Sequence, residues 1–391
     1  MPVKKVVTSE KLPIKLWLDQ VDAGAMEQAK NLANLPFIFR HVALMPDTHQ
    51  GYGMPIGGVI ATEDMVIPNA VGVDIGCGMG AVQTSLTEIS PDKLKLVLSA
   101  IRHKVPLGFK HHRRPQDRDL MPRPPAPLPE LPVVAEEYHN ALYQLGTLGG
   151  GNHFIEIQKG SDGHIWLMVH SGSRNLGFKV ANYYNRLAAA LNRQEGSRIP
   201  PGWQLAYLPI ASPVGQSYLH EMGYCVDFAY ANRALMISRI KEALQEVLGQ
   251  VTFAPVINIA HNYAALEEHY GKRVIVHRKG ATRALAGEIG IIPGSQGTPS
   301  YLVRGRGNPE SFSSCSHGAG RKMGRKQAQR QLNLEQEKKR LDQQGIIHAV
   351  RSARDLDEAA GAYKEIDQVI SDQLDLVEVL VELRPLAVIK G

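Results

Sequence analysis

The apolar residues of the chain recur with two different periods, and each period predicts its own kind of element. Between residues 215 and 249 the spacing is helical, so we expect one long helix there, with Cys225 in the core. The positions that define this helix are Phe228, Ala231, Leu235, Ile240, Leu244 and Val247. The runs "MVIPNAVGVDIG" and "HIWLMVH" are instead short and rich in β-branched residues, which is typical of strands.

The last third of the chain shows both periods. "NLEQEKKRLDQQ" indicates an exposed, charged helix, and "IDQVISDQLDLVEVLVELRP" indicates an amphipathic helix that ends at Pro385. "VINIAHNYAALEEHY" indicates a strand that ends at His261, followed by a helix with His269 on its surface. A final strand is predicted for "LAVIKG".

Residues 115–132 carry seven prolines, which exclude a helix or a central strand, so we expect a surface excursion there. Elsewhere, predicted helices and strands mix without regular βαβ alternation. This pattern predicts an α+β fold, with mixed β-sheets surrounded by helices in a single large domain that spans residues 1–391.

The N-terminal sequence and the cysteine content indicate a compartment. "MPVKKVVTSEKLPIKLW" lacks the apolar core of a secretory signal, and no apolar run reaches the roughly 18 residues that a membrane-spanning helix needs. Cys77, Cys225 and Cys315 are too few and too scattered for a disulfide framework. We therefore expect a cytoplasmic protein without membrane contact.

Positive charge exceeds negative charge, with 44 Lys and Arg against 38 Asp and Glu. This balance favours a polyanionic partner such as nucleic acid, although a solvated basic surface explains it about as often. Clustering adds weight to the first interpretation. The two clusters are Arg102, Lys104, Lys110, Arg113 and Arg114, and Arg321, Lys322, Arg325, Lys326 and Arg330.

Candidate metal ligands lie in glycine-rich turns and at strand ends. "VGVDIGCGMG" places Asp74 and Cys77 in a turn tight enough for both to reach one ion. The strands "HFIEIQ" and "HIWLMVH" flank the turn "GSDG", so His153 and His170 should be neighbours at the open end of a hairpin. His261 ends a further apolar run. These five residues suffice for one or two divalent metals, and their types do not choose among zinc, manganese, iron and nickel.

Phosphate binding is indicated by "IIPGSQGTPSYLVRG" and "HGAGRK", whose glycines expose backbone N–H groups and whose Arg321 could clamp a phosphate. Neither segment is a standard nucleotide motif, because the chain contains no G-x-x-x-x-G-K-[ST] and no G-x-G-x-x-G. In "SSCSHGAGR", both Cys315 and His317 are potential nucleophiles. A neutral imidazole can attack phosphorus when metals neutralise the phosphate oxygens.

Taken in order, segments along almost the whole chain resemble the RtcB family of RNA-splicing and RNA-repair ligases. Several such segments in the right order make the resemblance specific. The first of them places Asp47 and His49 before a run of glycines. The segments are "MPDTHQGYGMPIGG", "VGVDIGCGMG", "GTLGGGNHFIEI", "HSGSRNLG", "AHNY", "HRKGA", "GIIPGSQG", "SCSHGAGR", "AYKEID" and the terminal "KG".

The resemblance implies a ligase, dependent on GTP and manganese, that joins an RNA 3′-phosphate, or a 2′,3′-cyclic phosphate after hydrolysis, to a 5′-hydroxyl. His317 would take GMP and pass it to the RNA 3′-phosphate, giving an RNA(3′)pp(5′)G end from which the 5′-hydroxyl displaces GMP. Two manganese ions would share one thiol. By resemblance their ligands are Cys77 for both ions, His170 and His261 for one, and Asp74 and His153 for the other.

The resemblance also implies a guanylate site drawn from several distant segments. Its residues would be Asn152, His153, Phe154, Ile155, Glu156, His261, Asn262, Pro293, Gly294, Ser295, Gln296, Ser300, His317, Gly318, Ala319, Gly320, Tyr363 and Lys390. Tyr363 would pack on guanine, and Arg174 and Arg321 would bind phosphate. Gln296 departs from the family, in which "PGSMG" is common; the change could alter nucleotide fit but removes no catalytic group.

Two other functions stay open at this point. The metal ligands alone would permit a two-metal phosphoesterase that cleaves RNA ends without joining them. A non-catalytic RNA-binding relative is disfavoured, because no metal or nucleophile position is lost. For the ligase, the expected partner is RNA with 3′-phosphate or 2′,3′-cyclic phosphate and 5′-hydroxyl ends, and we expect a monomer. The need for an archease-type activator, and the choice between tRNA splicing and RNA repair, are left open.

Overall fold

A computed structural model describes residues 3–391 of the chain. Its α-helices are α1 (Ala23–Ala33), α2 (Pro68–Val71), α3 (Pro91–Lys104), α4 (Pro132–Gln144), α5 (Arg174–Gln194), α6 (Pro213–Leu248), α7 (Arg325–Gln331), α8 (Leu334–Gln343) and α9 (Ile366–Ser371). Short 3₁₀ turns occupy Arg118–Leu120, Leu128–Glu130, Pro201–Trp203, Pro309–Ser311, Ala353–Glu358 and Ala360–Ala362.

The strands are β1 (Lys5–Val7), β2 (Ile14–Leu16), β3 (Ile38–Tyr52), β4 (Met54–Thr62), β5 (Met65–Val66), β6 (Gly78–Gln83), β7 (Phe154–Gly160), β8 (Ile165–Ser171), β9 (Leu208–Pro209), β10 (Ile257–Ala260), β11 (Asn262–His269), β12 (Lys272–Lys279), β13 (Ala281–Arg283), β14 (Ile289–Ile292), β15 (Ser300–Gly305), β16 (Ser314–Ser316) and β17 (Val377–Lys390). The two longest strands, β3 and β17, lie inside two large sheets, and most of the others are short.

Two large sheets organise these strands. One has six strands in the order β1-β2-β3-β4-β12-β11, with β2 and β3 parallel and the other pairs antiparallel. The other has seven antiparallel strands in the order β10-β6-β8-β7-β17-β15-β14. Helices pack around both sheets, which confirms the predicted α+β class with mixed sheets.

Helix α6 is the long helix that the apolar spacing predicts. Its first turn is fixed by Pro213 and by the Ser212 hydroxyl, which accepts the N–H of Gly215 at 3.0 Å. It ends where Gly249 takes φ 81°, a conformation that favours glycine. Buried residues, Cys225 among them, occur along most of its length, so the helix packs against two apolar clusters at once.

The predicted helix after His261 is wrong. Residues 262–269 form strand β11, which pairs antiparallel with β12 from Asn262 opposite Lys279 to His269 opposite Lys272. The same residues fit both periods over so short a run, and the neighbouring strand decides the outcome. His269 is therefore buried rather than on a surface, with its ring edge-on to Phe312 at 5.4 Å between centroids.

The predicted amphipathic helix that ends at Pro385 is also wrong for most of its length. Only Ile366–Ser371 is helical, and Val377–Lys390 forms the central strand β17. The run "VEVLVEL" is rich in β-branched residues and alternates well enough for a strand. Pro385 lies inside this strand, where the register with β7 shifts, which is a position that tolerates proline in a sheet.

The proline-rich segment 115–132 contains two 3₁₀ turns and no strand, and Pro132 opens α4. Met121 and Leu131 are buried in the cluster that also packs against α6, which ties the segment to the protein at two points. Among residues 3–391, no helix is both long and apolar enough to cross a membrane.

Candidate active site

Four neighbouring strands bring the predicted metal ligands to one edge of the seven-stranded sheet. Gly78 pairs with both Ser171 and Ala260, so the residues next to these three, Cys77, His170 and His261, lie at the same strand ends. His153 directly precedes β7, whose first residue pairs with His170, as the predicted hairpin requires. Asp74 and Cys77 lie in the turn between α2 and β6. Sequence positions up to 187 residues apart thus meet at one place.

The ligand atoms form two groups that share one sulfur. Cys77, His170 and His261 form the first group and Asp74, Cys77 and His153 the second, and the ligand atoms of each group lie within 4.8 Å of one another. Cys77 Sγ is 3.3 Å from His170 Nε2 and 3.5 Å from His153 Nε2. His153 Nε2 is 3.0 Å from Asp74 Oδ2. A thiol placed between two groups in this way can bridge two cations.

Backbone carbonyls orient two of the imidazoles. His153 Nδ1–H donates to Leu148 O at 2.9 Å, and His170 Nδ1–H donates to Asn152 O at 3.0 Å. Each bond selects the tautomer whose Nε2 lone pair faces the shared sulfur, the usual arrangement of metal-binding histidines. His261 Nδ1 is buried and has no hydrogen-bond partner. An orphaned imidazole nitrogen beside a thiol and a second imidazole fits a bound divalent metal.

Burial favours the neutral, metal-binding form of two of these imidazoles, those of His170 and His261. It lowers the pKa of His170 and of His261 well below the ordinary value. Burial alone would raise the pKa of Asp74, but the hydrogen bond and charge of His153 outweigh it and lower that pKa to about 2. The group therefore offers a carboxylate and neutral imidazoles at physiological pH.

A buried arginine on α6 supports the turn that carries two of the ligands. Arg233 Nη1 donates to Gly76 O at 2.9 Å and to Ser171 O at 2.8 Å, and its Nε donates to the Asn258 side chain at 2.7 Å. These bonds join the ends of β6, β8 and β10 beneath the ligands. This role could not be predicted from the sequence, because Arg233 lies within a long helix and belongs to no motif.

His317 follows β16 and is held by a carboxylate from the other large sheet. Asp47 Oδ2, on β3, accepts Nδ1–H of His317 at 2.6 Å and the backbone N–H groups of His317 and Gly318 at 3.1 and 3.3 Å. The His317 ring lies 4.9 Å from the His261 ring, centroid to centroid. Gly320 makes room for this contact, since a Cβ there would lie 2.3 Å from Asp47 O.

Asp47 was not predicted as a site residue. It is fully buried, and burial alone would raise its pKa, but the charge and hydrogen bond of His317 outweigh burial and lower it. The other candidate of the same loop, Cys315, pairs with Thr282 in a two-stranded sheet and is fully buried. Its sulfur packs among apolar side chains, and burial raises the pKa of this thiol.

A cavity of about 790 Å³, counted to its open mouth, lies beside His317. Thirteen of the predicted guanylate residues line it: Asn152, Phe154, Glu156, Pro293, Gly294, Ser295, Gln296, His317, Gly318, Ala319, Gly320, Tyr363 and Lys390. Arg321 and the metal ligand His170 line it too, together with His49, Ile56, Arg325 and Glu358, which were not predicted as site residues. The distant segments therefore do converge on one space.

The other predicted guanylate residues lie behind the walls of this cavity. The Asn262 amide donates to Asp74 O at 3.0 Å and accepts the N–H of Gly280 at 2.7 Å, so both its nitrogen and its oxygen are hydrogen-bonded to the backbone. The Ser300 hydroxyl accepts the N–H of Gly294 at 3.1 Å. Ile155 is buried in an apolar cluster. His153 and His261 belong to the metal groups.

On one wall of the cavity, three side chains donate hydrogen bonds to the buried carboxylate of Glu358. Arg321 Nη1 donates to it at 2.9 Å, Arg325 Nε donates to it at 2.8 Å, and the Tyr363 hydroxyl makes a short hydrogen bond to it. Its carbonyl accepts from Gln296 Nε2 at 3.3 Å. Sequence reasoning missed Glu358 because it lies in a 3₁₀ turn that matches no motif.

The two arginines predicted to bind phosphate are both engaged with protein groups. Arg321 also donates from Nε to Met323 O at 3.0 Å, which leaves less of its guanidinium for a phosphate. Arg174 lies outside the cavity, with Nε donating to Thr147 Oγ1 at 3.3 Å. Its Nη1 is 3.4 Å from His153 Nδ1, which already donates to a carbonyl, so this is a charge contact beside the metal ligands.

Glu156 lies in the cavity with its carboxyl fully buried. Burial raises the pKa of Glu156 to about 8, while Gln158 Nε2 donates to it at 2.7 Å and the charge of Lys390 opposes the shift. Burial also lowers the pKa of Lys390, which ends β17. An ionisable carboxyl and an ammonium group thus face the same enclosed space.

Comparison with known proteins gives a consistent result. The sequence profile of a family described as tRNA-splicing ligase RtcB matches residues 28–123 and 128–391. The chain is similar to the RNA-splicing ligase RtcB of Escherichia coli K12, with 40% identity over 99% of both chains. It is also similar to the tRNA-splicing ligase RtcB of Thermococcus kodakarensis, with 35% identity over 94% of this chain and 91% of the relative.

Proposed function

Because the chain belongs to the RtcB family, we propose that it is an RNA ligase that uses GTP and Mn²⁺ to join 3′-phosphate or 2′,3′-cyclic phosphate ends to 5′-hydroxyl ends. Its biological role would be tRNA splicing or RNA repair. The observation that carries the proposal is the 2.6 Å hydrogen bond between Asp47 and His317 at the junction of the cavity and the metal groups. A nucleophile, a nucleotide-sized space and a set of metal ligands adjoin there.

Asp47 prepares His317 as the nucleophile. It holds the proton on Nδ1, so the lone pair of Nε2 is free to attack the α-phosphorus of GTP. The Nε2–P bond forms as the bond between the α-phosphorus and the bridging oxygen breaks, and pyrophosphate leaves. The imidazolium that forms is stabilised by the buried carboxylate, as in other histidine–carboxylate pairs.

GMP then passes to the RNA 3′-phosphate and is released in two successive displacements. An oxygen of the RNA 3′-phosphate attacks the histidine-bound phosphorus, which gives RNA(3′)pp(5′)G and restores neutral His317. The RNA 5′-hydroxyl next attacks the 3′-phosphorus and loses its proton to water, a phosphodiester forms, and GMP leaves. The junction therefore keeps the original 3′-phosphate.

The cavity fits guanine through its charged groups. Guanine presents two adjacent donors, N1–H and the 2-amino group, which the two oxygens of the Glu156 carboxylate can accept together. Tyr363 offers a ring at the wall, and Lys390 balances the carboxylate charge. The carboxylate suits the Watson–Crick edge of adenine less well, since adenine presents an acceptor at N1.

Two manganese ions would be held by the two groups that share Cys77, one with His170 and His261 and the other with Asp74 and His153. Bound there, they would neutralise phosphate oxygens and stabilise the charge that develops on the leaving group. The carbonyls of Leu148 and Asn152 fix the tautomers of His153 and His170, and Arg174 lies beside Asp74 and His153. Cys77, Cys225 and Cys315 are all free and buried, which suits a reducing compartment such as the cytoplasm.

The test is transfer of label from GTP radiolabelled at its α-phosphate. Wild-type protein with Mn²⁺ should become labelled, with the adduct mapped to His317 by mass spectrometry. His317→Ala should abolish the label, and Cys315→Ala, a matched variant of the same loop, should keep it. Labelling of His317→Ala at the wild-type level would show that the nucleophile is assigned wrongly.

Product analysis separates the ligase from a two-metal phosphoesterase. Joined RNA whose junction retains the labelled 3′-phosphate excludes simple hydrolysis. Reactions with purified protein alone also test the need for an archease-type activator, and gel filtration tests the expected monomer. A simple two-metal phosphoesterase needs no nucleotide-sized cavity beside its metals, which is why the ligase is the better explanation.

A further inference from the structure

Phe109 is the most exposed large apolar residue among residues 3–391, with 99% of its surface accessible, against 72% for Tyr52, the next highest. Single exposed apolar residues are common on protein surfaces and need no explanation by themselves. Phe109 differs in how it is held and in what surrounds it.

The backbone on both sides of Phe109 is fixed. Gly108 N–H donates to Gly149 O at 3.0 Å, and His112 N–H donates to Tyr143 O at 3.0 Å. Leu148 N–H donates to Pro106 O at 3.0 Å, so the loop joins the glycine-rich segment before His153 through two bonds. The phenyl ring is therefore presented to solvent from an anchored loop.

The loop is basic, and its charges are not neutralised by neighbours. No Asp or Glu occurs between Asp92 and Asp117. Lys110, Arg113 and Arg114 are exposed and make no ion pair within the described residues 3–391, whereas Lys104 pairs with Glu246 at 2.6 Å. An aromatic ring among unpaired cations is the composition of a surface that binds single-stranded nucleic acid.

A polar cavity of about 650 Å³ adjoins this loop. It is lined by His111, His112, Asn140, Tyr143, Gln144 and Asn175. These imidazole, amide and phenol groups offer the donors and acceptors that match base edges. Glu137, which accepts from both Asn140 and Asn175, makes the same cavity unsuitable for a phosphate.

A chain of contacts links the residues of this cavity and loop to the candidate metal ligands. Asn175 follows Arg174, and Gly149, which holds Gly108, is packed so closely on Arg174 that a Cβ there would lie 2.1 Å from Nη1. Arg174 in turn touches His153. The ring of Phe109, the polar cavity and Arg174 therefore form one path that leads to the metal groups.

We propose that this path binds unpaired nucleotides of the RNA substrate beside the reacting end, with Phe109 stacking on one base and a neighbouring base entering the polar cavity. The proposal rests on the proposed ligase function. Lys110, Arg113 and Arg114 contact the RNA backbone, and Arg174 meets the phosphate nearest the site. Because stacking is tolerant of base identity, the loop adds affinity for single strands more than sequence preference.

The test measures binding of a fluorescein-labelled single-stranded RNA with a 3′-phosphate. Phe109→Ala should raise Kd roughly 5-fold to 150-fold, the equivalent of about 1–3 kcal/mol for one stacked base. Phe109→Trp should bind like wild type, and RNA should quench its added fluorescence. Tyr183→Ala, which removes another exposed aromatic ring on α5, should leave Kd unchanged.

Salt dependence separates stacking from charge. Phe109→Ala should keep the wild-type slope of log Kd against log salt, while Arg113→Ala should reduce that slope by about 1. Transfer of GMP to His317 from GTP should be unaffected in each variant, so absence of this label in wild type would count against the ligase and not against the loop. Wild-type RNA binding by Phe109→Ala, or an equal loss in Tyr183→Ala, would overturn the proposal and leave the loop to another partner.

Discussion

The proposed site has a metal half and a nucleotide half, and the residues of each half are held in place in different ways. In the metal half, formed by Asp74, Cys77, His153, His170 and His261, main-chain carbonyls orient His153 and His170. In the nucleotide half, Arg321, Arg325 and Tyr363 are oriented by one side chain, the carboxylate of Glu358. Backbone of the glycine-rich loop before β7 orients these two imidazoles, and a single replaceable residue supports the second half.

This difference has a consequence for mutation. A backbone carbonyl survives any substitution of its own side chain, so the metal half should change mainly when a ligand itself is removed, or Arg233 beneath the turn of Asp74 and Cys77. The nucleotide half should change when Glu358 alone is altered, although Glu358 is no ligand of the metals. His317 lies between these cases, because a side chain orients it, but from the other sheet.

The largest effect is expected at Asp47. In Asp47→Asn the side chain keeps an oxygen for the three N–H groups that Oδ2 accepts, but it loses the negative charge that stabilises the imidazolium formed on attack. We expect the rate of guanylylation at saturating GTP to fall roughly 10²–10⁴-fold, the usual range for loss of acid–base assistance. The KM for GTP should change little, because Asp47 does not line the cavity.

Single-turnover labelling with GTP measures this rate directly. Cys315→Ala is the matched control, since it alters a buried side chain of the same loop and leaves the hydrogen bonds of His317 in place. A rate within a fewfold of wild type in Asp47→Asn would mean that the charge of Asp47 does not assist the attack by His317.

The metal half can be divided by two ligand substitutions. Cys77 belongs to both groups and Asp74 to one, so Cys77→Ala should weaken both bound Mn²⁺ ions and Asp74→Ala only one. We expect affinity to fall by at least about 10–100-fold, the range found even for groups that only orient ligands. Electron paramagnetic resonance during Mn²⁺ titration counts the ions; equal stoichiometry in both variants would exclude a shared thiol.

The metal half could be predicted largely from the sequence because its information is local. His153 and His170 flank one hairpin, and Asp74 and Cys77 share one turn, so strand pairing alone brings them together. Asp47 was visible in its glycine-rich segment but carried no sign of its partner, which is 270 residues away. No period or spacing encodes a contact between two different sheets.

For the nucleotide half, the sequence predicts which segments contribute residues but not how these residues contact one another. Family resemblance named Tyr363 and Lys390, but Glu358 and Arg325 join the cavity through ion pairs that no motif contains. The wrong helix over residues 372–385 has a related cause: the central position of β17 between β7 and β15 overrides a local pattern that also fits a helix. Tertiary contacts decide both outcomes.

Glu358→Gln should sharpen the contrast between the halves. Loss of the carboxylate charge frees Arg321 and Arg325 and loosens Tyr363, so the KM for GTP should rise roughly tenfold, in line with a hydrogen bond to a charged group. The guanylylation rate at saturating GTP should stay near wild type, which is the reverse of the result expected for Asp47→Asn. Steady-state labelling gives both constants.

Glu335→Gln is the matched control for this substitution. Its side chain is 79% exposed and lies 3.7 Å from Lys338, and such surface pairs contribute little. A fall in maximal rate without a change in KM for Glu358→Gln would contradict the division of the site into two halves.

The smallest effect is a pH dependence of guanylate binding that arises at Glu156. Burial raises the pKa of this carboxyl to about 8, so it is largely protonated at neutral pH and must lose its proton to accept both guanine donors. Binding of GMP should therefore release a proton, and affinity should rise by up to about tenfold per pH unit until pH passes about 8. Calorimetry of GMP binding in buffers of different ionisation enthalpy measures the proton directly. In Glu156→Gln the affinity should be lower and this rise should vanish, whereas Lys390→Ala should keep it, since loss of the ammonium charge only raises the pKa of Glu156 further. GMP affinity independent of pH in wild type would mean that another group reads the guanine edge.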